Sequence, residues 1–176
     1  FEEETNLIAN LLLDKSGSMG FPEGEVTKLD YGCMLAASLT YLMNRQQDAV
    51  GLCLFDEQVR QIIPHRSVRR QMFQVLHTLE STTPGSKTSI APALHEMAER
   101  MSRRGLVVLI SDLMDDPQKV LMGLKHFRHK GNEVIVFHVL DPREMDMDYR
   151  QAVEFEDMET GVKMRVEPQF LREQFQ

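Results

Sequence analysis

Asn6-Leu-Ile-Ala-Asn-Leu-Leu-Leu-Asp14-Lys-Ser16-Gly-Ser18-Met-Gly20 is the stretch whose reading decides the fold. From Leu7 to Leu13 only Asn10 is polar. That run is too short for a typical helix and the right length for a strand buried on both faces. The chemistry then changes abruptly. Asp14, Ser16 and Ser18 stand at alternate positions, and Gly17 and Gly20 let the backbone turn sharply. One carboxylate and two hydroxyls, separated by small residues, can converge on a point beyond the strand. All are hard oxygen groups of the type that Mg²⁺ or Mn²⁺ takes. The plain alternative is a polar turn, because Ser, Gly and Asp are common turn residues. Ligands from elsewhere in the chain decide between the two.

Working outward, 176 residues suffice for one domain with a proper core, and 42% hydrophobic with 27% charged residues is ordinary for a globular protein. The net charge of −7 argues against a nucleic-acid partner, which calls for a basic surplus. Cys33 and Cys53 show no motif spacing and sit in apolar stretches. They read as reduced core thiols, which points to a reducing, cytoplasmic compartment. No apolar run approaches the length of a bilayer span, and the first residues lack a signal-peptide pattern. Membrane contact by this chain is therefore not expected. The chain begins with Phe1 and reads as a fragment, so a membrane segment before Phe1 in the parent protein is compatible with it.

Along the chain, helical and strand patterns alternate. Thr27 opens a helix with Asp30 as the acidic half of a capping box, and Leu35, Leu39, Leu42 and Met43 mark its apolar face. Val50–Phe55 is a second strand, and Val59–Ile63 pairs back against it as an antiparallel edge strand before Pro64. Ser67 caps a helix carrying Val68, Met72, Val75, Leu76 and Leu79 at helical spacing. Ile90, Leu94, Met97, Ala98 and Met101 line another, which stops at Gly105. Leu106–Ile110 is the most strand-like run. Asp115 or Asp116 then caps a helix with Pro117 in its first turn and Gly131 past its end. Val134–Leu140 is one more strand. This order predicts a doubly wound α/β fold, mostly parallel, with helices on both faces. Val153, Phe155, Val162, Met164 and Val166 alternate with polar residues around Glu159-Thr160-Gly161, which reads as a hairpin, and Pro168–Gln176 as a short terminal helix.

In open parallel sheets, ligands bind beyond the carboxyl ends of the strands, where the strand order reverses. Asp14 ends the first strand, and Asp112 ends the strand that begins at Leu106. If the chain builds outward on one side and then returns, these two strands become neighbours and their aspartates face each other on an exposed rim. Thr88, in Gly85-Ser86-Lys87-Thr88-Ser89, stands at a loop-to-helix junction on the same rim, where its other natural role is a helix N-cap.

Asp14-Lys15-Ser16-Gly17-Ser18, followed by Thr88 and then Asp112, resembles the metal-ion-dependent adhesion site of von Willebrand factor A domains. Lys28-Leu29-Asp30-Tyr31, Leu106 to Asp112, His138-Val139-Leu140-Asp141-Pro142 and the Phe155-Glu156-Asp157 hairpin resemble the bacterial A-domain-like proteins associated with MoxR-type AAA+ ATPases. One departure is Gly85-Ser86-Lys87, where a second Gly and no cation would fit the pattern. The resemblance spans residues 1–176 and implies a single von Willebrand factor A-like domain with residues 152–166 as a hairpin decoration. It also implies Mg²⁺ (or Mn²⁺) held by Asp14, Ser16, Ser18, Thr88 and Asp112, with a MoxR-type ATPase as partner in assembly or activation of other complexes.

The physical logic of such a site stands without the family. Mg²⁺ wants six oxygens, and an incompletely protein-ligated ion draws a carboxylate from a partner. The contrasting class is a metal-dependent phosphohydrolase with Asp14 as nucleophile. Such an enzyme calls for a second acid two residues on, where Ser16 stands, so no enzyme is expected. A serine hydrolase lacks its Gly-x-Ser-x-Gly elbow. His126 and His129 fall on a surface helix without a Glu pair and read as solvated or packing residues. The twelve methionines read as core packing.

Overall fold

A computed structural model describes residues 7–22, 26–85, 89–101, 103–146, 153–156 and 163–166. The Phe1–Thr5 segment, Thr88, the turn of the hairpin and the terminal helix expected at Pro168–Gln176 lie outside the described residues. The chain divides into two compact units, Phe1–Val139 and Leu140–Gln176.

In the first unit the apolar run is strand β1 (Ile8–Asp14), followed by a 3-10 turn at Gly17–Gly20. Helix α1 (Lys28–Arg45), β2 (Ala49–Phe55), β3 (Val59–Arg66) and α2 (Arg69–Glu80) come next. Then follow α3 (Ile90–Arg100), β4 (Leu106–Ser111), α4 (Pro117–His129) and β5 (Glu133–His138). The sheet order is β3-β2-β1-β4-β5, parallel throughout except for β3 against β2. This is the predicted doubly wound architecture, and its order reverses between β1 and β4. The second unit holds α5 (Pro142–Asp146) and the expected antiparallel hairpin, β6 (Val153–Glu156) with β7 (Lys163–Val166).

Alternation along each buried strand divides the core in two. Leu11 and Leu13 of β1, Leu52 and Leu54 of β2, and Val108 and Ile110 of β4 face α1 and α2 with Ala36, Met43, Val75 and Leu79. Leu12, Cys53, Phe55, Val107 and Leu109 face the other way, against Ile90, Leu94 and Met97 of α3 and Val120 and Phe127 of α4.

Several local expectations give way to packing. The buried stripe of α1 is Leu29, Gly32, Ala36, Thr40 and Met43, whereas Leu42 is 52% exposed. Close approach to the sheet selects small residues: a Cβ on Gly32 would lie 2.9 Å from Leu13 Cδ1. β3 continues through Pro64 to Arg66 with a register shift, tolerated because it is an edge strand. Helix α2 consequently starts after Val68 with no side-chain cap, and Ser67 does not serve as one. The Gln71 side chain donates to the Pro64 carbonyl instead. Gly105 does not end α3, which finishes at Arg100. It lets β4 approach β1, since a Cβ there would fall 2.2 Å from the Ile8 carbonyl oxygen. Two caps form as read: Thr27 and Asp30 make the full capping box, and Asp116 accepts from Gln118 N and Lys119 N ahead of Pro117.

Candidate metal centre

β1 and β4 run parallel with Leu13 level with Ile110, so the next residue pair sets Asp14 beside Ser111 at the reversal of strand order. Ser111 Oγ donates to Asp14 Oδ2 at 2.6 Å and itself accepts from Leu113 N at 2.9 Å. Ser16 N donates to Asp14 Oδ1 at 2.8 Å, closing the turn that follows β1. Ser16 Oγ and Ser18 Oγ lie 3.2 Å apart. The turn is pinned below by Met19, which is fully buried in the core.

Asp112 follows β4, with Oδ1 accepting from Met114 N at 3.2 Å. Its Oδ2 is buried and takes part in no hydrogen bond among the described residues, although Lys28 Nζ stands 2.8 Å away. Lys28 and Asp112 are thus a buried ion pair at contact distance. On the far side, the His138 ring Nε2–H donates to the Asp112 carbonyl at 3.0 Å.

The site residues were expected on an exposed rim. Asp14 and Ser16 are instead fully buried and Asp112 is 3% exposed, while Ser18 is half-buried. Burial pushes the Asp14 carboxyl up from 3.8 to about 6; the Ser111 and Ser16 hydrogen bonds pull it back, and the Asp112 charge adds to the rise.

The loop leading to Thr88 is anchored at the same place as far as Gly85. Gly85 N donates to the Lys15 carbonyl, and Lys15 N donates to the Phe55 carbonyl at 2.8 Å. A Cβ on Gly85 would meet Asp56 Oδ2 at 2.8 Å. Asp56, just past β2, is held by the Arg60 guanidinium at 2.7 Å and by Gln58 N, so it buttresses the loop. The N-cap of α3 is Ser89, not Thr88, and it makes no side-chain cap bond.

Four of the five expected ligands are therefore described, at adjoining strand ends: Asp14, Ser16, Ser18 and Asp112. Among the described residues no group of three or more His, Cys, Asp and Glu could hold a metal. A cation here would rest on two carboxylates and on hydroxyls, a hard-oxygen set that suits Mg²⁺ or Mn²⁺ and leaves room for water. Such an ion would share the buried Asp112 Oδ2 with the Lys28 ammonium.

Sequence reasoning passed over Ser111, which orients Asp14, and Lys28, which pairs with Asp112. Lys28 did carry a signal: a cation in the first turn of a helix opposes the helix dipole and needs a reason to be there. The histidine reading also changes. His126 Nε2 lies 2.9 Å from Glu99 Oε1, and its Nδ1 is 3.2 Å from His95 Nδ1 across α3 and α4.

A five-stranded, mostly parallel sheet with one antiparallel edge strand and helices on both faces is a von Willebrand factor A-like α/β fold. The chain is similar in fold to a von Willebrand factor type A protein from Catenulispora acidiphila, with a TM-score of 0.50 and 13% identity over 75% of this chain and 32% of the other. It is also similar in fold to an aerotolerance-related membrane protein from Bacteroides fragilis, with a TM-score of 0.67 and 20% identity over 94% and 83% of the two chains. The chain belongs to the family described as proteins of unknown function DUF58, whose sequence profile spans residues 1–176. An uncharacterized protein of Mycobacterium tuberculosis is 26% identical over 155 residues, which are 86% of this chain and 48% of that protein. The chain thus spans about half the length of this curated relative. No helix of the described residues is long and apolar enough to cross a membrane.

Proposed function

We propose that this domain is a metal-dependent protein-interaction module and not an enzyme. Asp14, Ser16, Ser18, Thr88 and Asp112 hold Mg²⁺ (or Mn²⁺), and an Asp or Glu of a protein partner completes the coordination shell. The observation that carries this reading is the pair of buried strand-end aspartates, one with its carboxyl pushed up to about 6 and the other with an oxygen that takes no hydrogen bond among the described residues. Lys28 already pairs with Asp112, and a metal cation beside Asp14 would offset the cost of burying its carboxylate. When bound, the ion supplies a Lewis-acidic point for a carboxylate oxygen. The chain supplies the rest: Ser111 and Ser16 N fix Asp14, and the Met114 amide fixes Asp112.

The partner we propose is a MoxR-type AAA+ ATPase inside the cell, on the strength of the sequence resemblance; no nucleic acid or membrane contact by this chain enters the reading. Calorimetric titration of Mg²⁺ and Mn²⁺ into the chain and into Asp14→Ala tests the site, and equal binding by both would move the ion elsewhere. Pull-down of the purified ATPase with and without Mg²⁺ tests the partner. A panel of phosphate esters tests the enzyme alternative. Metal-dependent turnover that vanishes in Asp14→Asn would replace this reading with a phosphohydrolase.

A further inference from the structure

His126 meets a second histidine where α3 packs on α4. The two helices lie close because Gly123 has no side chain: a Cβ there would stand 2.9 Å from Leu94 Cβ. One residue on from Leu94 and one turn on from Gly123, His95 and His126 bring their Nδ1 atoms to 3.2 Å. Their ring centres are 5.5 Å apart and the planes are tilted by 46°. His126 is held on its other nitrogen. Its Nε2 lies 2.9 Å from Glu99 Oε1, and Glu99 Oε2 accepts from Lys130 Nζ at 2.8 Å. Lys130 first, and His126 after it, hold the Glu99 carboxyl below its ordinary value. An ionised carboxylate only accepts, so it keeps the His126 proton on Nε2 and leaves Nδ1 with a lone pair facing His95.

An imidazole that leans on a carboxylate through one nitrogen and offers the other is the usual form of a metal-binding histidine. The spacing fits as well. Two nitrogens on one tetrahedral ion, each about 2.0–2.1 Å from it, stand about 3.3–3.4 Å apart. We propose that His95 and His126 form an open site for a late first-row transition ion, Zn²⁺ in the first place, with Glu99 as its positioning residue. The inference is independent of the strand-end site, whose hard oxygens suit a different class of ion. His126 binds through the lone pair it already presents. His95 is exposed and changes tautomer, its proton passing from Nδ1 to Nε2 by way of water, so no net proton is released. Two imidazoles are fewer donors than a closed structural site has, and water fills the remaining positions. The bound ion ties α3 to α4 between residues 31 apart in sequence.

The test adds Zn²⁺ alone to the whole chain in calorimetry at neutral pH. Cu²⁺ is the second probe, read by electron paramagnetic resonance, where nitrogen splitting counts the bound imidazoles. The parent chain should take up Zn²⁺ with an affinity that Asp14→Ala retains. His95→Gln and His126→Gln should each lose about tenfold or more, and the Cu²⁺ spectrum should fall from two nitrogens to one. Glu99→Gln should weaken Zn²⁺ about tenfold while both nitrogens stay in the spectrum, because it acts through His126. Zn²⁺ should also raise the Tm of the parent chain but not of the two histidine variants. Should His126→Gln fail to fold, the exposed His95→Gln decides. Absence of Zn²⁺ binding in the parent chain overturns the proposal. So does equal affinity in the parent and His95→Gln, or binding that is lost only in Asp14→Ala.

Discussion

Replacing Asp14 with Asn should stabilise the metal-free protein at neutral pH, although it removes a hydrogen-bonded carboxylate from the centre of the site. Asp14 is fully buried, and burial lifts its carboxyl from 3.8 to about 6 in the folded state. A folded value above the unfolded one means that the native state holds the proton more tightly. The stability linked to this group is therefore complete below about 3.8 and is lost as the pH rises through about 6. Each unit of displacement corresponds to about 1.4 kcal/mol, so ionised Asp14 costs the metal-free fold about 3 kcal/mol at neutral pH. Asn carries no charge, but Ser111 Oγ must then turn from donor to acceptor while still accepting from Leu113 N. That rearrangement takes back about 1 kcal/mol. The net gain of about 2 kcal/mol corresponds to a rise in Tm of roughly 4–8 °C for a chain of this size. Thermal and urea denaturation in chelator, at neutral pH and in steps towards about pH 4, measures it. The gap between the two proteins should close as the pH falls, and saturating Mg²⁺ should stabilise the parent chain but not Asp14→Asn. An Asn variant less stable than the parent at neutral pH, or a gap that ignores pH, would refute the reasoning.

Gly105→Ala should destabilise the fold by about 1–3 kcal/mol in urea titration, because its Cβ would fall 2.2 Å from the Ile8 carbonyl oxygen and push β4 off β1; an unchanged midpoint would mean that the two strands are not so closely paired. Thr27→Ala removes the acceptor for Asp30 N and breaks the capping box, at a cost of about 1 kcal/mol. The same denaturation series reads it, and no change would show that α1 takes its start from tertiary contacts alone. Burial pushes the Cys33 thiol up to about 11 and that of Cys53 up to about 12. Both should resist iodoacetamide in the folded protein and react readily in denaturant; fast labelling of native Cys53 would contradict its place between the sheet and α3.

The strands were legible because their signals are local. Four of them are short apolar runs with abrupt polar ends, and a run such as Leu106–Ile110 carries its own boundaries in Gly105 and Asp112. The parallel topology followed from the alternation of elements, and the meeting of β1 with β4 followed from the topology. That was enough to bring Asp14 and Asp112 to one place. Helix faces were less legible. Periodicity marked Leu42 as core, but α1 turns its small residues to the sheet, and only the depth of packing at Gly32 and Ala36 decides that.

By itself, the sequence determined the α/β class, the antiparallel edge strand, the two well-formed helix caps and the identity of the oxygen groups gathered at the strand ends. These depend on neighbours within a few residues, or on a chain order that permits few topologies. The electrostatic character of the site was decided only by the tertiary structure. Ser111 reaches Asp14 across 97 residues, and Lys28 arrives beside Asp112 from the start of a different helix. No spacing rule links such pairs, because their meeting depends on strand register and on how close α1 lies to the sheet. Burial is set the same way. A carboxylate at a strand end is an ordinary surface group until the rest of the fold closes over it, and only then does it hold its proton to about pH 6.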